Sequence, residues 1–203
     1  MRASLTASET WQMDAEAIER FNAAPRRKPV HRLQTRTGAA APTSNITTAS
    51  VVLLLANPGY TADRDDTPDG CDEWEREGWP LAYLHDEAPR GGRDWTRRRV
   101  RRLTERGFTL QHIAQRVALV QLVPCASEKF HPGAMLPSRA RILDDVREAG
   151  RRGALLVVLR CKQLWEPAIA GAEVVYGKNP LAVFVSPGNL SDDGFMRVCE
   201  RLE

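Results

Sequence analysis

The sequence predicts an α/β protein, a three-layer α/β/α sandwich around a central four-stranded parallel sheet. Four short apolar runs without polar alternation recur along the chain, as is typical of strands buried on both faces. Amphipathic helical patterns alternate with these runs, and each run ends in polar or turn-forming residues. A sheet of such strands needs helices on both of its faces. The predicted strands are residues 51–55, 117–123, 154–159 and 181–185.

The composition is that of an ordinary globular chain. The 203 residues are 42% hydrophobic and 27% charged, and the net charge of +3 does not by itself indicate a nucleic-acid partner. The four cysteines lie far apart without a C-x-x-C pair, which argues against a zinc ribbon and predicts reduced thiols. No run reaches the roughly 18 apolar residues of a membrane span, and none resembles a secretory signal. We therefore expect a cytoplasmic protein that binds no membrane.

Residues 1–48 are predicted to be an N-terminal helix and linker that pack on a core domain of residues 49–203. Apolar residues at helical spacing predict a helix over 14–23. A basic loop with two prolines, 25–29, ends this helix. The small, polar, alanine-rich residues 35–50 have the composition of a linker that leads into the first strand.

Three amphipathic helices are predicted between and after the strands. Asp94 is a candidate N-cap for a helix that runs through Leu103 and that Gly107 would end. Ser138 is a candidate N-cap for the second helix and Ser191 for the third. The residues predicted to face the sheet from the second and third helices are Ile142, Val146, Ala149, Phe195, Val198, Cys199 and Leu202.

A long acidic stretch with three prolines, residues 61–93, follows the first predicted strand. An irregular segment of that length is typical of a functional lid or of a mobile loop. Its aromatic residues, Trp79 and Tyr83 among them, could stack on a planar ligand or fill a gap above the sheet. The sequence leaves both interpretations open.

The helix predicted after Asp94 is densely basic on its exposed side. Arg97, Arg98 and Arg102 lie on that side and are candidates for contacts with a DNA backbone. A charged helix face is also often just a solvated surface. The basic residues alone do not decide between these two interpretations.

Polar or turn-forming residues follow all four predicted strands. Because the carboxyl ends of parallel strands share one edge of a sheet, the four segments are predicted to line one binding cleft. Any single segment could instead be a structural turn, since Asn-Pro-Gly closes strands in many proteins. The segments are Asn57-Pro58-Gly59-Tyr60, Pro124-Cys125-Ala126-Ser127, Arg160-Cys161-Lys162 and Ser186-Pro187-Gly188-Asn189.

Several common catalytic motifs do not occur in the sequence. It contains no G-x-x-x-x-G-K-[ST], no G-x-G-x-x-G and no G-x-S-x-G, and its four histidines lack metal-ligand spacing. A triad of Cys125 or Ser127 with His131 is not excluded, but no pattern indicates it. We expect no metal site.

At two strand ends the sequence resembles the uracil-DNA glycosylase superfamily, whose fold is a four-stranded parallel α/β/α sandwich. Ala56-Asn57-Pro58-Gly59 resembles the first family signature, G-x-[DN]-P or G-I-N-P-G, without the leading glycine. The residues from Ser186 to Ser191 resemble the second signature, H-P-S-x-L-S or N-P-S-G-L, with Ser186 in place of His or Asn. Gln121 and Cys125 are similar in position to an Asn-x-x-x-Cys segment of a thermophilic branch. The resemblance covers about residues 50–203.

The resemblance implies that the protein flips a nucleotide out of DNA and hydrolyses its N-glycosidic bond. Asn57 would hold the attacking water, and Ser186 would face the departing base, where a neutral hydroxyl stabilises an anion less well than His or Asn. Leu190 would fill the gap left by the flipped base, and Gly188 and Ser191 would contact phosphate. No iron–sulfur cluster and no other cofactor is expected, because only one cysteine, Cys125, matches a ligand of the thermophilic branch. The further residues predicted to contact the substrate are Pro58, Gly59, Tyr60, Tyr83, Gln121, Pro124, Cys125, Ser127, Arg160, Lys162, Pro187 and Asn189.

Three functions remain open at the level of sequence. The first is a monomeric uracil-DNA-glycosylase-like protein that binds DNA or a nucleotide and can hydrolyse the glycosidic bond of a damaged or deaminated base. The second is a non-catalytic nucleic-acid or nucleotide-binding module on the same fold. The third is an enzyme for a small nucleoside or phosphorylated substrate, with Arg160 and Lys162 as anion clamps.

Overall fold

The computed structural model describes residues 5–36, 39–40, 43–59 and 71–203. Its centre is an all-parallel sheet of four strands in the order β2-β1-β3-β4. The predicted α/β class and the four-stranded parallel sheet are confirmed. The strands are β1 Val51–Leu55, β2 Val117–Gln121, β3 Leu155–Val158 and β4 Val174–Tyr176.

Eight α-helices and three short 3-10 helices occur in the described part of the chain. The 3-10 helices are Pro29–His31, Ser44–Thr47 and Ala82–Leu84. The α-helices are α1 Ala7–Ala23, α2 Cys71–Arg76, α3 Arg90–Glu105, α4 Leu110–Arg116, α5 Ser138–Arg151, α6 Lys162–Ile169, α7 Pro187–Leu190 and α8 Asp192–Leu202. No helix among the described residues is long and apolar enough to cross a membrane.

Both faces of the sheet are covered, because successive side chains of a strand point to opposite sides. Leu53 and Leu55 of β1 belong to one apolar cluster, which also contains buried residues of α3, α4 and α8. Val52 and Leu54 belong to a second cluster with buried residues of α5 and α6. Helices, sheet and helices therefore form three layers, and every residue of β1 is buried.

The N-terminal helix is longer than predicted and is tied to the core. A capping box between Thr6 and Glu9 starts α1 at Ala7, seven residues before the predicted start. Apolar residues of α1 pack in a third cluster with Val123 and Cys125, which follow β2. Asp14 of α1, which is fully buried, accepts hydrogen bonds from the backbone N and the Oγ of Ser138, at 2.8 and 2.5 Å.

Ser138 is therefore the first residue of α5 and not its N-cap. The carboxylate of Asp14, from another helix, satisfies the free N–H group that a capping side chain would take. The inward positions predicted for α5 are confirmed, since Ile142, Val146 and Ala149 are buried. Ser191 is the predicted cap of α8, and its Oγ accepts a hydrogen bond from the backbone N of Gly194 at 3.1 Å.

The segment predicted to be a linker contains a buried structural residue. Asn45 is 6% exposed, and its Nδ2 lies 3.1 Å from each of the carbonyl oxygens of Ala114, Gln115 and Val117. These carbonyls belong to the end of α4 and the start of β2. Asn45 thus satisfies acceptors that the end of a helix leaves open.

The fourth strand lies elsewhere than predicted. Residues 181–185 do not pair with the sheet, and β4 is formed by Val174–Tyr176, beside β3. Val183 and Val185 are nevertheless buried in the cluster under α3, and the backbone N of Val185 donates to the carbonyl of Arg99. The apolar residues of 181–185 therefore reflect packing against a helix and not pairing in the sheet.

Helix α3 also begins before the predicted point. It starts at Arg90, directly after Pro89, so Asp94 lies inside the helix and does not cap it. The predicted end is close to the observed one, because Gly107 has a φ of 101° just after the last helical residue, Glu105. The described part of the predicted irregular stretch, residues 71–93, contains α2, a 3-10 helix and the start of α3, whereas residues 61–70 lie outside the described residues.

Candidate functional site at the carboxyl edge of the sheet

Asn57 lies two residues beyond β1, at the edge where the four strands end, which we call the carboxyl edge. Its side chain is 8% exposed, and its Nδ2 donates to the carbonyl oxygen of Pro58 at 2.9 Å and to the Oγ of Ser127 at 2.8 Å. The Oγ of Ser127 donates its own hydrogen to the carbonyl oxygen of Lys129 at 3.0 Å. The Ser127 hydroxyl therefore acts as an acceptor toward Asn57.

This network fixes the orientation of the Asn57 amide. The carbonyl of Pro58 can only accept a hydrogen bond, and the Ser127 hydroxyl already donates its hydrogen to Lys129. Both groups therefore need a donor from Asn57, and this donor is its NH₂ group. Both Nδ2 hydrogens are consumed. Oδ1 of Asn57 has no hydrogen-bond partner among the described residues. A fixed acceptor is thus available at the carboxyl edge.

Two of the predicted strand-end segments come together around Asn57. The backbone N of Ser127 donates to the carbonyl of Pro58 at 3.3 Å, and Gly59 and Ser127 form a parallel bridge. The chain after β1 therefore stays beside the chain after β2. Tyr60, the last residue of the first predicted segment, lies outside the described residues.

Gln121 ends β2 beside Leu55 and carries an unsatisfied acceptor. Its side chain is 6% exposed, and its Oε1 is buried without a hydrogen-bond partner. Buried polar atoms almost always have partners in folded proteins. Gln121 is therefore a second polar residue near the end of β1 and β2 whose acceptor has no partner in the described part of the chain.

Cys125 is a structural residue. It is fully buried, and its backbone forms an antiparallel bridge with Ala39. Burial, and secondarily the charge of Asp14, raises the pKa of the Cys125 thiol to about 12. The thiol is thus protonated at neutral pH, which argues against a Cys125 nucleophile. Pro124 is buried beside it, and its carbonyl accepts from the backbone N of Ala40.

Asn189 organises the other half of the carboxyl edge. It is 4% exposed, and its Nδ2 donates to the carbonyl oxygens of Ala182 and Phe184 at 2.6 and 3.0 Å. Its Oδ1 accepts from the backbone N of Asn179 at 3.2 Å. A Cβ placed on Gly177, just after β4, would lie 3.3 Å from Nδ2 of Asn189. Asn189 therefore holds the loop that follows β4 at the end of the sheet.

The other residues of the last predicted segment have mainly structural contacts. Ser186 precedes α7, and its carbonyl accepts the backbone N–H groups of Asn189 and Leu190. Leu190 is 3% exposed within the core cluster, so in this conformation it is not available as a wedge, contrary to the expectation from the resemblance. The Oγ of Ser191 caps α8 as the acceptor of the Gly194 N–H. Pro187 occupies the first turn of α7, and Gly188 is exposed.

The third segment, Arg160-Cys161-Lys162, follows β3 and leads into α6. Arg160 is half-buried and Lys162 is exposed, with Nζ of Lys162 4.5 Å from the ring centroid of Tyr176. Cys161 between them has a φ of 57°, in the left-handed region. The predicted ligand residue Tyr83 packs on α3, since a Cβ placed on Gly92 would lie 2.3 Å from its ring.

The predicted residues thus form two hydrogen-bonded groups along the carboxyl edge. Asn57, Pro58, Gly59 and Ser127 make one group at the ends of β1 and β2, and Asn189 anchors the other near the end of β4. No hydrogen bond between described residues joins the first group to the segment from Ser186 to Ser191. The strand-end positions were predictable, but the separate pairing of the two groups was not.

The arginines predicted to contact DNA lie on α3 and not beside Asn57. Arg97 pairs with Asp86 at 2.6 Å, Arg102 pairs with Glu105 at 2.5 Å, and Nε of Arg98 donates to a backbone carbonyl of its own helix. A groove of about 460 Å³ runs along this helix toward α4. Its lining consists of Arg97, Arg98, Arg101, Thr104, Phe108, Thr109 and Leu110.

The charge of the chain is concentrated on α3. Its sixteen residues contain seven arginines against Asp94 and Glu105, a net charge of +5, whereas the whole chain has +3. The rest of the chain is therefore net negative. Because α4 ends at Arg116, directly before the first residue of β2, the end of α4 lies at the opposite edge of the sheet from Asn57.

That opposite edge, where the strands begin and which we call the amino edge, holds a second cavity that the sequence interpretation missed. This amino-edge pocket has a volume of about 290 Å³. Ser50, Arg116 and Ala154 each stand directly before a strand, and this position is the signal that could have placed them together. The lining residues are Ser50, Arg116, Arg152, Gly153, Ala154, Glu200 and Arg201.

No group of three or more His, Cys, Asp or Glu side chains in the described ranges could hold a metal ion. No protein-family model matches the chain, and neither a curated protein nor a solved structure matches it significantly.

Proposed function

We propose that the protein binds DNA or a nucleotide at the carboxyl edge of its sheet and hydrolyses an N-glycosidic bond there with a water held by Asn57. The observation that carries this proposal is the fixed Asn57 amide, whose two Nδ2 hydrogens are donated and whose Oδ1 has no partner among the described residues. An acceptor held in one orientation can position a water without reorganising during the reaction.

The role of Asn57 in such a reaction is orientation. Oδ1 accepts one hydrogen of the water and directs a lone pair of its oxygen toward the anomeric carbon. The bond to the base breaks as the bond to water forms, and the base leaves with the electron pair of the glycosidic bond. The attacking water loses one proton to solvent, and the departing base takes up one proton from solvent. A neutral amide does not offset the positive charge that develops on the sugar, so we expect slow catalysis.

The substrate class rests on two further supports. The motif around Asn57 resembles a signature of enzymes that cleave this bond, and the net charge of +5 on α3 attracts a polyanion. We expect α3 to contribute long-range attraction of the polyanion.

Binding without hydrolysis is the second candidate, and one observation favours it. The segment that would contact the leaving base and the DNA gap is used for structure, since Leu190 is in the core and the Ser191 hydroxyl caps α8. A binding module needs only the open acceptor and the positive surface.

A base-release assay on duplexes with uracil, hypoxanthine or a mismatch tests the proposal. We expect release by the wild-type protein and a loss of about 100-fold or more in Asn57→Ala, because the water then lacks its acceptor. Gln111→Ala is the matched control, since it removes an exposed amide from α4. Absence of base release by the wild-type protein on all three substrates would refute hydrolysis. DNA affinity measured in the same samples then decides on the binding module.

A further inference from the structure

The amino-edge pocket brings three guanidinium groups around one cavity of about 290 Å³. Arg116 comes from the end of α4, Arg152 follows α5, and Arg201 comes from α8. Like charges repel each other, so three arginines lining one small pocket need a counter-charge. Glu200 is the one acidic residue of the lining, so the lining side chains sum to +2, and Glu173 outside the lining pairs with Arg201.

Arg116 is the arginine of the pocket whose side chain has no partner among the described residues. No hydrogen bond or ion pair between described residues engages its guanidinium, and its Nε is buried without a partner. A buried donor without a partner indicates a group that the chain alone does not supply, such as a bound anion or water. Arginine prefers oxyanions, which its planar fork can bind with two parallel hydrogen bonds.

The other two arginines are held in place by the protein. Nη1 of Arg152 donates to the carbonyl oxygen of Ala49 at 3.1 Å, and Nη2 donates to those of Ile46 and Ala49 at 2.9 and 3.2 Å. Nη2 of Arg201 is paired with Glu173. Each guanidinium has five N–H groups, so both retain donors after these contacts. Their positions are thus fixed before any ligand arrives, which lowers the entropic cost of binding.

We infer that the amino-edge pocket binds a phosphate group, with Arg116 as its main ligand and Arg152 and Arg201 as flanking donors. A phosphate is an oxyanion that the planar fork of an arginine binds with two parallel hydrogen bonds, and its charge, about −1 in a nucleic-acid backbone and about −2 as a free monoester, is opposite to that of the lining. The phosphate can belong to a free phosphorylated compound or to a nucleic-acid backbone. This site is distinct from the one at Asn57, because it lies at the other end of the strands.

The test titrates the full chain with inorganic phosphate and, separately, with an oligothymidylate that has no terminal phosphate. Binding is followed by the rise in the midpoint of thermal unfolding against chloride of equal ionic strength. We expect Arg116→Gln to weaken the binding by about tenfold or more, since a charge-assisted pair is lost. Glu200→Gln should strengthen it, because the repulsive charge is removed.

Two controls separate the site from general effects of charge and stability. Arg20→Gln removes an exposed arginine of α1 that is paired with Glu16, and it should leave binding unchanged. Arg201→Gln, at an exposed position, gives a second measurement if Arg116→Gln unfolds at a lower temperature in chloride.

The two probes distinguish the two sources of the phosphate. If inorganic phosphate binds and the arginine variants weaken its binding, the ligand is a free phosphate compound. If only the oligothymidylate binds and the same variants weaken its binding, the ligand is a nucleic-acid phosphate. If neither probe binds, or if binding is equal in wild type and both arginine variants, the inference is wrong.

Discussion

Ser127 sets the orientation of the Asn57 amide, so its removal should be measurable in the free protein. In Ser127→Ala one hydrogen of Asn57 Nδ2 and the carbonyl of Lys129 lose their partner. An unsatisfied buried polar group costs about 1–3 kcal/mol, and we expect the free energy of unfolding to fall by that amount. Denaturant titration measures the change, with the exposed Ser8→Ala as control. An unchanged unfolding free energy would mean that Ser127 does not hold Asn57.

Asn189 should hold the loop after β4 in place, as Ser127 holds the Asn57 amide. Its three side-chain hydrogen bonds connect Asn179, Ala182 and Phe184. Asn189→Asp retains an acceptor but loses both donors, and we expect a loss of about 1–3 kcal/mol together with faster proteolysis within residues 178–184. Mass spectrometry of a limited digest locates the cleavage. A stable variant that is cut elsewhere would contradict the role assigned to Asn189.

At the scale of elements, the burial of the apolar segments was predictable from the sequence, whereas the pairing of strands in the sheet was predictable only in part. The runs that became β1, β2 and β3 are continuous and apolar because helices cover both faces of the sheet. Strand β4 was not predicted, because an apolar run of three residues is too short to be recognised as a strand. Residues 181–185 were wrongly predicted to be a strand, because residues buried under α3 are apolar as well. The start of α3 was misplaced because a carboxylate inside a helix, Asp94, has the same residue type as an N-cap.

The basic helix α3 makes the next prediction. Replacing Arg98, Arg101 and Arg102 by Gln lowers its net charge from +5 to +2, and DNA affinity at low salt should fall. The slope of the logarithm of affinity against the logarithm of salt concentration should also become shallower, by about 0.9 for each lost phosphate contact. A filter-binding series from low to high salt measures both quantities.

A triple variant with the same loss of charge elsewhere is the control for α3. Arg20→Gln, Arg147→Gln and Arg151→Gln remove three positive charges from α1 and α5. If this control reduces affinity and slope as much as the α3 variant does, the effect is one of net charge alone, and α3 is only a solvated face.

Across the whole molecule, the parallel sheet determines which residues can meet. The ends of β1 and β2 bring Asn57 to Ser127, residues seventy positions apart, and this proximity followed from the parallel arrangement predicted for the strands. The beginnings of the same strands bring Ser50 and Arg116 to one pocket, which the same rule would have predicted. The orientation of the Asn57 amide was not predictable, because it depends on the carbonyls of Pro58 and Lys129.

The contact between α1 and α5 gives the molecule a pH-dependent stability. Burial raises the pKa of Asp14 above 3.8, and the hydrogen bonds from Ser138 oppose this rise without cancelling it. The folded state therefore binds the Asp14 proton more tightly than the unfolded state does. The contribution of Asp14 to stability is largest below pH 3.8 and is lost as the pH rises through the raised pKa.

The variant Asp14→Asn tests this pH dependence, because its amide does not titrate. The unfolding free energy of the wild type minus that of the variant should grow as the pH falls toward 3.8 and should be constant at alkaline pH. Urea titrations of both proteins across this range measure the difference, in which the other carboxyls cancel. A difference that grows with rising pH would show that the Ser138 hydrogen bonds outweigh burial and that the pKa of Asp14 is lowered.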